Sequence, residues 1–392
     1  MARRTAVLSF ARTPFGRLSG GLASMTAPQL GGHAIAAAIE RSGIAREAVE
    51  HVVMGHVLQA GAGQITSRQA AMAAGLSETV TAETINKVCA SAMRAITLSD
   101  VLMQAGHHEV VVAGGMESMT NAPHLAHVRA GIRFGDGALL DAMQHDGLTN
   151  PFRKVRMLTD GAEVAKELGI SRERQDEWAV RSHRLATEQR DWLAEEIAPV
   201  TIRSRKGDLV VEHDEAVRAD TTMEGLARLA ELDVEGGGTT AGNAPGVNDG
   251  AAALVLASDE YVAANGLTPM AWIRGHAYMA GRSQDLAKMP GDATRKLLDR
   301  EGLSIDDIAR FEFNEAFASV TLHGIDSLGL DHDRVNVNGG AIALGHPIGA
   351  SGARVVGTLI RELQRIGGGL GVAAICSGGG QGDAILVEVP AG

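Results

Sequence analysis

The chain has 392 residues, a length that corresponds to two or three domains and is ample for a large core. It contains only two cysteines, Cys89 and Cys376, which excludes a disulfide scaffold and any four-cysteine zinc site. The net charge of −11 disfavours a nucleic-acid partner, since proteins that bind nucleic acids are usually basic. Glycine is abundant, at 49 residues, and aromatic residues amount to 3%, so we expect many tight turns and a core of small aliphatic side chains.

No segment of the sequence has the pattern of a membrane helix or a secretory signal. The apolar stretch near the N-terminus ends already at Arg12, and no apolar run approaches the ~18 residues that a spanning helix needs. The C-terminal residues do not form a peroxisomal targeting tripeptide. We therefore expect a cytoplasmic protein with reduced cysteines and no membrane partner.

Short apolar runs alternate along the chain with longer segments of helical periodicity. We predict buried strands at Thr5–Phe10, His51–Val57, Glu109–Ala113, Ala252–Ala257, Phe311–Asn314 and Gly371–Cys376. We predict helices at Thr26–Ser42, Ala90–Gly106, Arg172–Glu195, Gly291–Glu301, Phe317–Leu328 and Gly352–Ile366. Apolar strands that are joined through helices indicate an α/β layered fold with mainly parallel strands.

Two parts of the chain share one order of elements, which suggests two similar halves. In the first, a strand leads to Cys89 and then to a helix, a second strand and a glycine pair. In the second, Val335–Asn338 leads to His346 and then to a helix, a strand and three glycines. Between the halves, residues 116–248 have an irregular pattern, which indicates an inserted cap or loop domain. A third ordinary layer of the core is the alternative.

Cys89 lies between a predicted strand and a predicted helix. At a helix N-terminus, the unpaired N–H groups and the positive end of the dipole favour a thiolate over a thiol. Cys89 is therefore a candidate nucleophile. The alternative is a buried cysteine that acts as a small hydrophobic residue, which is the more common role of a single cysteine.

His346 lies in the segment Asn338–Gly352, which contains five glycines. Such a loop lets the backbone approach a ligand closely, and a histidine beside a thiol can take its proton. The alternative is a glycine-rich turn or a phosphate-binding loop with an incidental histidine. The segment lacks the Lys-Ser/Thr end of a P-loop and the glycine spacing of a dinucleotide-binding motif.

Two further polar segments follow predicted strands. Cys376 is followed by glycines from Gly378 to Gly380, whose N–H groups suit an oxyanion hole. Asn314 and Glu315 follow another strand, where polar residues are unusual for a core segment and suit a polar site. A metal site is the competing use of cysteine and histidine, but these residues are not closely spaced along the chain as metal ligands usually are.

Together these motifs resemble those of the thiolases, the acetyl-CoA C-acyltransferases, over nearly the whole chain. The similar segments, in the family's order, are Arg12–Gly16, Asn86–Ser91, Gly114–Met119, Asn314–Ala318, Gly339–Arg354 and Cys376–Gly382. The resemblance implies the α/β thiolase fold, with two similar βαβαβαββ halves in a five-layer αβαβα arrangement and an inserted loop domain. It implies an N-terminal half at 1–117 plus 246–268, a loop domain at 118–245 and a C-terminal half at 269–392.

The resemblance also implies a reaction: a reversible Claisen condensation of an acyl-CoA with acetyl-CoA, or thiolysis of a 3-ketoacyl-CoA, by a ping-pong mechanism (EC 2.3.1.9 or 2.3.1.16). It assigns Cys89 as the nucleophile, His346 as the group that takes its proton, and Cys376 as the base for the second acetyl-CoA. One implied oxyanion hole uses the N–H groups of Cys89 and Gly378, and the other uses His346 and a water held by Asn314.

By the same resemblance, the middle segment contributes to the binding of CoA, a substrate rather than a permanently bound cofactor. The residues at the family's CoA-contacting positions, or suited to the pantetheine tunnel, are Leu148, Arg156, Met157, Arg218, Ala241, Ala244, Gly246, Ala316 and Phe317. The basic clusters Arg153–Arg156 and Ile202–Lys206 are candidates for phosphate contacts, with a solvated surface as the alternative. We expect no metal, and the resemblance implies a homodimer or homotetramer.

The sequence departs from the family pattern near the predicted CoA site. Arg156 and Leu158 flank Met157 where the family often has His-Met-Gly, Pro245 stands where it has a serine, and Leu286–Pro290 replaces Met-Gly-x-Gly-Pro. The reactive residues are intact. The departures therefore concern the CoA contacts and the preference for acyl-chain length.

Two other functions compete with the thiolase reaction. A decarboxylating ketoacyl synthase typically uses Cys-His-His or Cys-His-Asn without a second catalytic cysteine, so Cys376 argues against it. A carrier or lipid-binding protein on the same scaffold is expected to have lost Cys89, His346 or Cys376, and all three are present.

Overall fold

A ten-stranded sheet dominates the computed structural model, which describes residues 3–205 and 207–391. The strands of these residues are, in chain order, β1 (Thr5–Arg12), β2 (Gly16–Arg17), β3 (His51–Gly55), β4 (Thr81–Ile85), β5 (Val110–Ser118), β6 (His124–Leu125), β7 (Leu140–Asp141), β8 (Thr149–Asn150), β9 (Val155–Arg156), β10 (Val200–Ile202), β11 (Leu209–Val211), β12 (Asn248–Ser258), β13 (Ala271–Ala280), β14 (Ile308–Phe313), β15 (Gly369–Ser377) and β16 (Gln381–Val389).

The α-helices of the same residues are α1 (Ala27–Ser42), α2 (Thr66–Ala73), α3 (Ser91–Gln104), α4 (Met157–Glu167), α5 (Arg172–Glu188), α6 (Arg190–Ala194), α7 (Met223–Ala227), α8 (Asp259–Asn265), α9 (Met289–Glu301), α10 (Ala318–Leu328), α11 (Ala341–Leu344) and α12 (Ser351–Arg365). Helix α1 shows how local sequence sets such bounds. Thr26 and Gln29 form a capping box at its start, and Gly43 ends it in the left-handed conformation.

The strand directions differ from the sequence-based prediction. The order across the large sheet is β14-β15-β16-β13-β1-β12-β5-β3-β4, with β2 paired to β12. Most neighbours are antiparallel, and β3 with β4, β3 with β5 and β14 with β15 run parallel. The prediction of mainly parallel strands is therefore wrong. Helices cover the sheet, so most of its strands are buried and apolar whatever their direction, and an apolar run alone does not predict a parallel strand. The predicted strands also did not include β13 and β16, which contain polar residues.

The sheet consists of two similar parts that meet between β1 and β13. Only Thr5–Val7 and Ala271–Ile273 pair across this junction. On one side follow β12, β5, β3 and β4, and on the other β16, β15 and β14. The place of β4 in the second part is taken by an extended segment at Val335, which forms a parallel bridge with Phe311. This arrangement confirms the predicted pair of similar halves.

Helices form three layers around the two parts of the sheet. Helices α3 and α12 contact each other and strands of both parts, so they lie in the centre. Helices α1 and α2 pack on the first part, and α9 and α10 on the second. The order is helix, sheet, helix, sheet, helix, which is the five-layer arrangement that was predicted. The central cluster of buried apolar residues includes both Cys89 and Cys376.

The chain between β5 and β12 forms helices and short hairpins outside the large sheet. It contains α4 to α7 and the two-stranded pairs β6–β7, β8–β9 and β10–β11. The predicted helix Arg172–Glu195 is interrupted at Gln189, which separates α5 from α6. The exact domain bounds 1–117 plus 246–268, 118–245 and 269–392 stay a prediction. None of the described helices is both long and apolar enough to span a membrane.

Candidate active site

Cys89 lies in a strained turn between β4 and α3. The residue before it, Val88, has a φ of +45°, which is unfavourable for a β-branched side chain. The turn is held by local bonds: the Val88 N–H donates to Asn86 Oδ1 at 3.0 Å, and the Ser91 hydroxyl donates to the Val88 carbonyl at 2.6 Å. Strain of this kind is typical of functional sites, where surrounding contacts fix one geometry.

His346 lies in the glycine-rich loop between α11 and α12, and its ring is fixed from behind. Its backbone N–H donates to Asn248 Oδ1 at 2.9 Å, and its Nδ1 is 2.7 Å from the Ser351 hydroxyl. Because that hydroxyl donates its proton to the Pro347 carbonyl at 3.0 Å, we assign the ring proton to Nδ1. The lone pair of Nε2 is then available as a base.

Asn314 extends the polar arrangement on the other side of His346. It follows β14, and its Nδ2 is 3.5 Å from His346 Nε2. The Asn314 side chain is fully buried, and no hydrogen-bond donor among the described residues reaches its Oδ1. An unpaired buried carbonyl oxygen of this kind is a place where a water molecule can bind.

Cys376 and Gly378 come to the same centre from the hairpin β15–β16. Cys376 is fully buried, and its thiol interacts electrostatically with Cys89, so the two sulfur atoms are close enough to affect each other's ionisation. Gly378 packs beside the nucleophile turn, since a Cβ added there would lie 3.3 Å from Val88 Cγ2 and 3.6 Å from Met157 Sδ. Both halves of the chain therefore contribute reactive groups.

A cavity of about 210 Å³ opens onto Cys89 and His346. Its other lining residues are mostly apolar, and they are Met119, Gln144, Leu148, Arg156, Met157, Leu158, Ala244, Pro245, Gly246, Val247, Ala316, Phe317 and Ile348. The lining combines small residues, such as Ala244 and Ala316, with larger apolar side chains. Such a lining suits a largely uncharged ligand.

Burial keeps the reactive side chains neutral. It raises the pKa of Cys89 to about 12, and the Glu117 carboxylate acts in the same direction. Burial, and then the proximity of Cys89, raise the pKa of Cys376 as well. Burial, with the positive charge of Arg354, lowers the pKa of His346 to about 3. Desolvation therefore outweighs the stabilisation that the helix N-terminus gives to a thiolate, and Cys89 is a thiol at rest. Its proton must pass to a base such as His346.

Most of the predicted CoA-contacting residues line this cavity. They are Leu148, Arg156, Met157, Ala244, Gly246, Ala316 and Phe317. Two others, Arg218 and Ala241, are exposed and are not among its lining residues. The backbone N–H of Arg218 donates to His183 Nδ1 at 3.1 Å, and its chain neighbours line a separate cavity.

Both arginines of the first predicted basic cluster are paired with carboxylates. Arg153 bridges Asp160 and Glu163, and Arg156 Nε donates to Asp233 Oδ2 at 2.9 Å. In the second cluster, Arg203 and Arg205 are exposed near the tip of the β10–β11 hairpin, and Lys206 lies outside the described residues.

Besides Cys89 and His346, six lining residues were absent from the predicted contacts, and they are Met119, Gln144, Leu158, Pro245, Val247 and Ile348. Leu158 and Pro245 are departures from the family pattern, and Met119 and Ile348 lie in the motif segments Gly114–Met119 and Gly339–Arg354, so these four positions carried a usable signal. Gln144 and Val247 gave no such signal in the sequence, since neither belongs to a periodic pattern or to a motif that marks a cavity wall.

The chain matches two family models along nearly its whole length. Residues 5–260 match the model described as "Thiolase, N-terminal domain", and residues 267–389 match "Thiolase, C-terminal domain". The chain is 45% identical to the acetyl-CoA acetyltransferase of Escherichia coli K12, with 97% of this chain and 98% of that protein covered. It is 43% identical to the acetyl-CoA acetyltransferase of Chromobacterium violaceum, with 98% and 99% covered.

A solved structure is similar over the same extent. The crystal structure of the Bacillus anthracis acetyl-CoA acetyltransferase superposes with a TM-score of 0.96 at 38% identity, and 99% of each chain is covered. The likeness therefore includes the fold, the order of the motifs and the full length of both chains.

Proposed function

The chain belongs to the thiolase family, and from this premise we propose that it is a short-chain enzyme, an acetyl-CoA C-acetyltransferase (EC 2.3.1.9), that works through acyl-Cys89. Its reaction is the reversible Claisen condensation of an acyl-CoA with acetyl-CoA, or the thiolysis of a 3-ketoacyl-CoA by CoA. Cys89 and His346 both face the cavity, so a thioester that enters it meets the nucleophile and its base together.

In the first half-reaction, His346 Nε2 takes the proton of the Cys89 thiol while the sulfur attacks the thioester carbonyl. The carbonyl oxygen becomes an oxyanion, for which the backbone N–H groups of Cys89 and Gly378 are the proposed donors. Collapse of this intermediate breaks the bond to the CoA sulfur, which leaves as a thiolate and takes a proton from Cys376, or from solvent where that thiol is absent. His346 keeps the Cys89 proton on Nε2, and Cys376 is left as a thiolate. The acyl group remains on Cys89 as a thioester.

In the second half-reaction, Cys376 removes a proton from the α-carbon of a second acetyl-CoA. The enolate oxygen is stabilised by His346 and by a water held on the buried oxygen of Asn314, which has no other partner among the described residues. The α-carbon attacks the acyl group on Cys89, the new carbon–carbon bond forms, and the Cys89 sulfur leaves to recover a proton. Thiolysis is the same sequence in reverse.

The single observation that carries the short-chain assignment is the side chain at position 158. Leu158 lines the cavity where the family often has glycine, and Met157 lies beside it. We propose that these side chains, with Leu148, limit the space for an acyl chain on Cys89, which lines the same cavity. An acetyl group needs little of this space.

Thiolysis kinetics against 3-ketoacyl-CoA substrates of increasing length test the assignment. We expect kcat/KM to fall steeply beyond four carbons in the wild-type enzyme. The matched variant Leu158→Gly removes the apolar side chain and should raise kcat/KM for six- and eight-carbon substrates by about tenfold, the order of one or two buried methylene groups. Equal kcat/KM for four- and eight-carbon substrates in the wild-type enzyme would exclude the short-chain assignment.

The remaining properties follow from family membership as proposals. We propose a homodimer or homotetramer whose ligands are acyl-CoA molecules, with no permanently bound cofactor, in the cytoplasm. Exposed apolar side chains between β6 and β7 support self-association, and they are Val128, Ile132, Phe134 and Leu139.

A further inference from the structure

The side chain of Lys87 connects the nucleophile turn to the opposite half of the molecule. Its Nζ is 2.5 Å from Asp383 Oδ1, and the Asp383 side chain is only 2% exposed. The same ammonium lies 5.1 Å from the centre of the Tyr278 ring. Tyr278 is the cross-strand neighbour of Asp383, so both contacts of Lys87 lie on one face of the pair β13–β16.

The backbone of Lys87 is bound to the same hairpin. The hydroxyl of Ser377, the residue after Cys376, donates a hydrogen bond to the Lys87 carbonyl. In the register of β15 and β16, Cys376 pairs with Gly382, which directly precedes Asp383. Both ends of Lys87 are thus attached next to Cys376, while Cys89 follows Lys87 by two residues.

The strained Val88 links these attachments to the nucleophile. Its left-handed conformation is unfavourable for a β-branched residue and persists only where surrounding contacts fix it. The bonds of Asn86 and Ser91 hold the turn from within its own segment. The contacts of Lys87 with Asp383 and Ser377 are polar links from the turn to the hairpin that carries the second thiol, and Val88 packs beside Gly378 of the same hairpin.

We infer that Lys87 and Asp383 are a positioning pair that fixes the Cys89 thiol relative to the Cys376 thiol. The inference rests on the proposed mechanism, in which condensation needs both thiols, whereas acyl loading needs Cys89 with His346. The pair touches neither substrate nor the reacting atoms. It acts through the turn and the hairpin, so its loss affects the step that depends on the distance between the two sulfur atoms.

The charges of the pair determine which variants are informative. Burial raises the pKa of Asp383, and the Lys87 ammonium opposes this effect. Lys87→Met alone would leave a buried carboxylate without its partner, which is strongly destabilising. The double variant Lys87→Met/Asp383→Asn removes both charges and keeps the side-chain volumes nearly unchanged, so it separates positioning from folding.

The experiment measures two rates in the full-length enzyme. The first is the acetylation of Cys89 by acetyl-CoA in a Cys376→Ala background, followed by intact mass. The second is the condensation of acetyl-CoA to acetoacetyl-CoA with both cysteines present. For Lys87→Met/Asp383→Asn we expect loading within about twofold of its background, unchanged KM, and a condensation kcat that is about 10- to 100-fold lower, the usual effect of a displacement of about 1 Å.

Two further variants make the result specific. Lys87→Arg keeps the ion pair and should recover most of the condensation kcat. Lys296→Met removes the other lysine near the Tyr278 ring, at 5.8 Å and exposed, and should leave both rates unchanged.

Condensation within twofold of wild type in the double variant would overturn the inference. So would an equal fall in loading and condensation, because the pair would then act on Cys89 alone or on the fold. A wild-type enzyme whose Cys89 is not acetylated at all would overturn the proposed function, and the inference with it.

Discussion

The reactive residues are neutral at rest because each is desolvated. Cys89 stays a thiol and His346 a neutral imidazole, whose Nδ1–H donates to the Ser351 hydroxyl. A thiolate–imidazolium pair in the resting enzyme would be disfavoured by desolvation, because the site is buried. When the proton is transferred during the attack, the negative charge moves onto the thioester oxygen, where hydrogen-bond donors can stabilise it. The base and the nucleophile therefore act as a unit.

This state of the site predicts the pH dependence of acyl loading. A lowered His346 pKa of about 3 means that the base form is present at every pH above it, and a raised Cys89 pKa of about 12 means that the thiol form is present below it. We expect the rate of Cys89 acetylation in a Cys376→Ala enzyme to change less than threefold between pH 5.5 and 8.5. An inflection near pH 6.5 would contradict it, since that is the ordinary pKa of histidine.

At the scale of elements, one buried carboxylate joins several segments behind the site. Glu315 follows Asn314 and is fully buried. It accepts hydrogen bonds from Trp178 Nε1 at 2.9 Å and from the Ser182 hydroxyl at 2.8 Å, both on α5. It also accepts one from the backbone N–H of Ile342 at 3.0 Å, in α11, which directly precedes the loop that carries His346. Asn314 and His346 are thereby placed by a common anchor.

We expect Glu315→Ala to destabilise the fold by about 3 kcal/mol or more, because several buried donors lose their acceptor at once. Glu315→Gln keeps the volume and one acceptor oxygen, so its loss should be clearly smaller. Urea unfolding measured by circular dichroism gives both values. Equal stability of the alanine variant and the wild type would show that water replaces the carboxylate, and that α5 is not anchored through it.

The elements also show what a single sequence can and cannot predict. The six predicted strands and five of the six predicted helices were found within a few residues, and the sixth, Arg172–Glu195, is divided at Gln189. Continuous apolar runs and helical periodicity are local signals. Strand directions were not predictable in this way, because they depend on pairing in the folded sheet. Strands β13 and β16 were not predicted at all, since they mix polar and small residues. The strain at Val88 and the contact of Lys87 with Asp383 likewise depend on segments far apart in sequence.

The candidate site was more predictable than the sheet. The motifs around Cys89, His346 and Cys376 are long, and the structure places these residues around one centre. The CoA contacts stay a prediction. Arg218 is not among the residues that line the cavity, and Arg156 is paired with Asp233, because the partner of a surface charge depends on the tertiary structure and not on a position in a motif.

At the scale of the molecule, the site exists because two similar halves meet. The first half contributes Cys89 at the start of α3, and the second contributes His346, Cys376 and Asn314. Helices α3 and α12 contact each other between the two parts of the sheet, and they begin beside the reactive loops. The two similar halves thus bring two thiols to one centre, and in the proposed mechanism one forms the acyl intermediate while the other moves the α-proton.

The most direct test of this division of labour is intact-mass analysis of three proteins exposed to acetyl-CoA, combined with assays of condensation. We predict that the wild type gains one acetyl group and condenses, that Cys376→Ala gains one acetyl group on Cys89 without condensing, and that Cys89→Ala gains none and is inactive. Near-normal turnover by Cys89→Ala, or a stable acetyl group on Cys376 in the wild type, would contradict the assignment of the two cysteines.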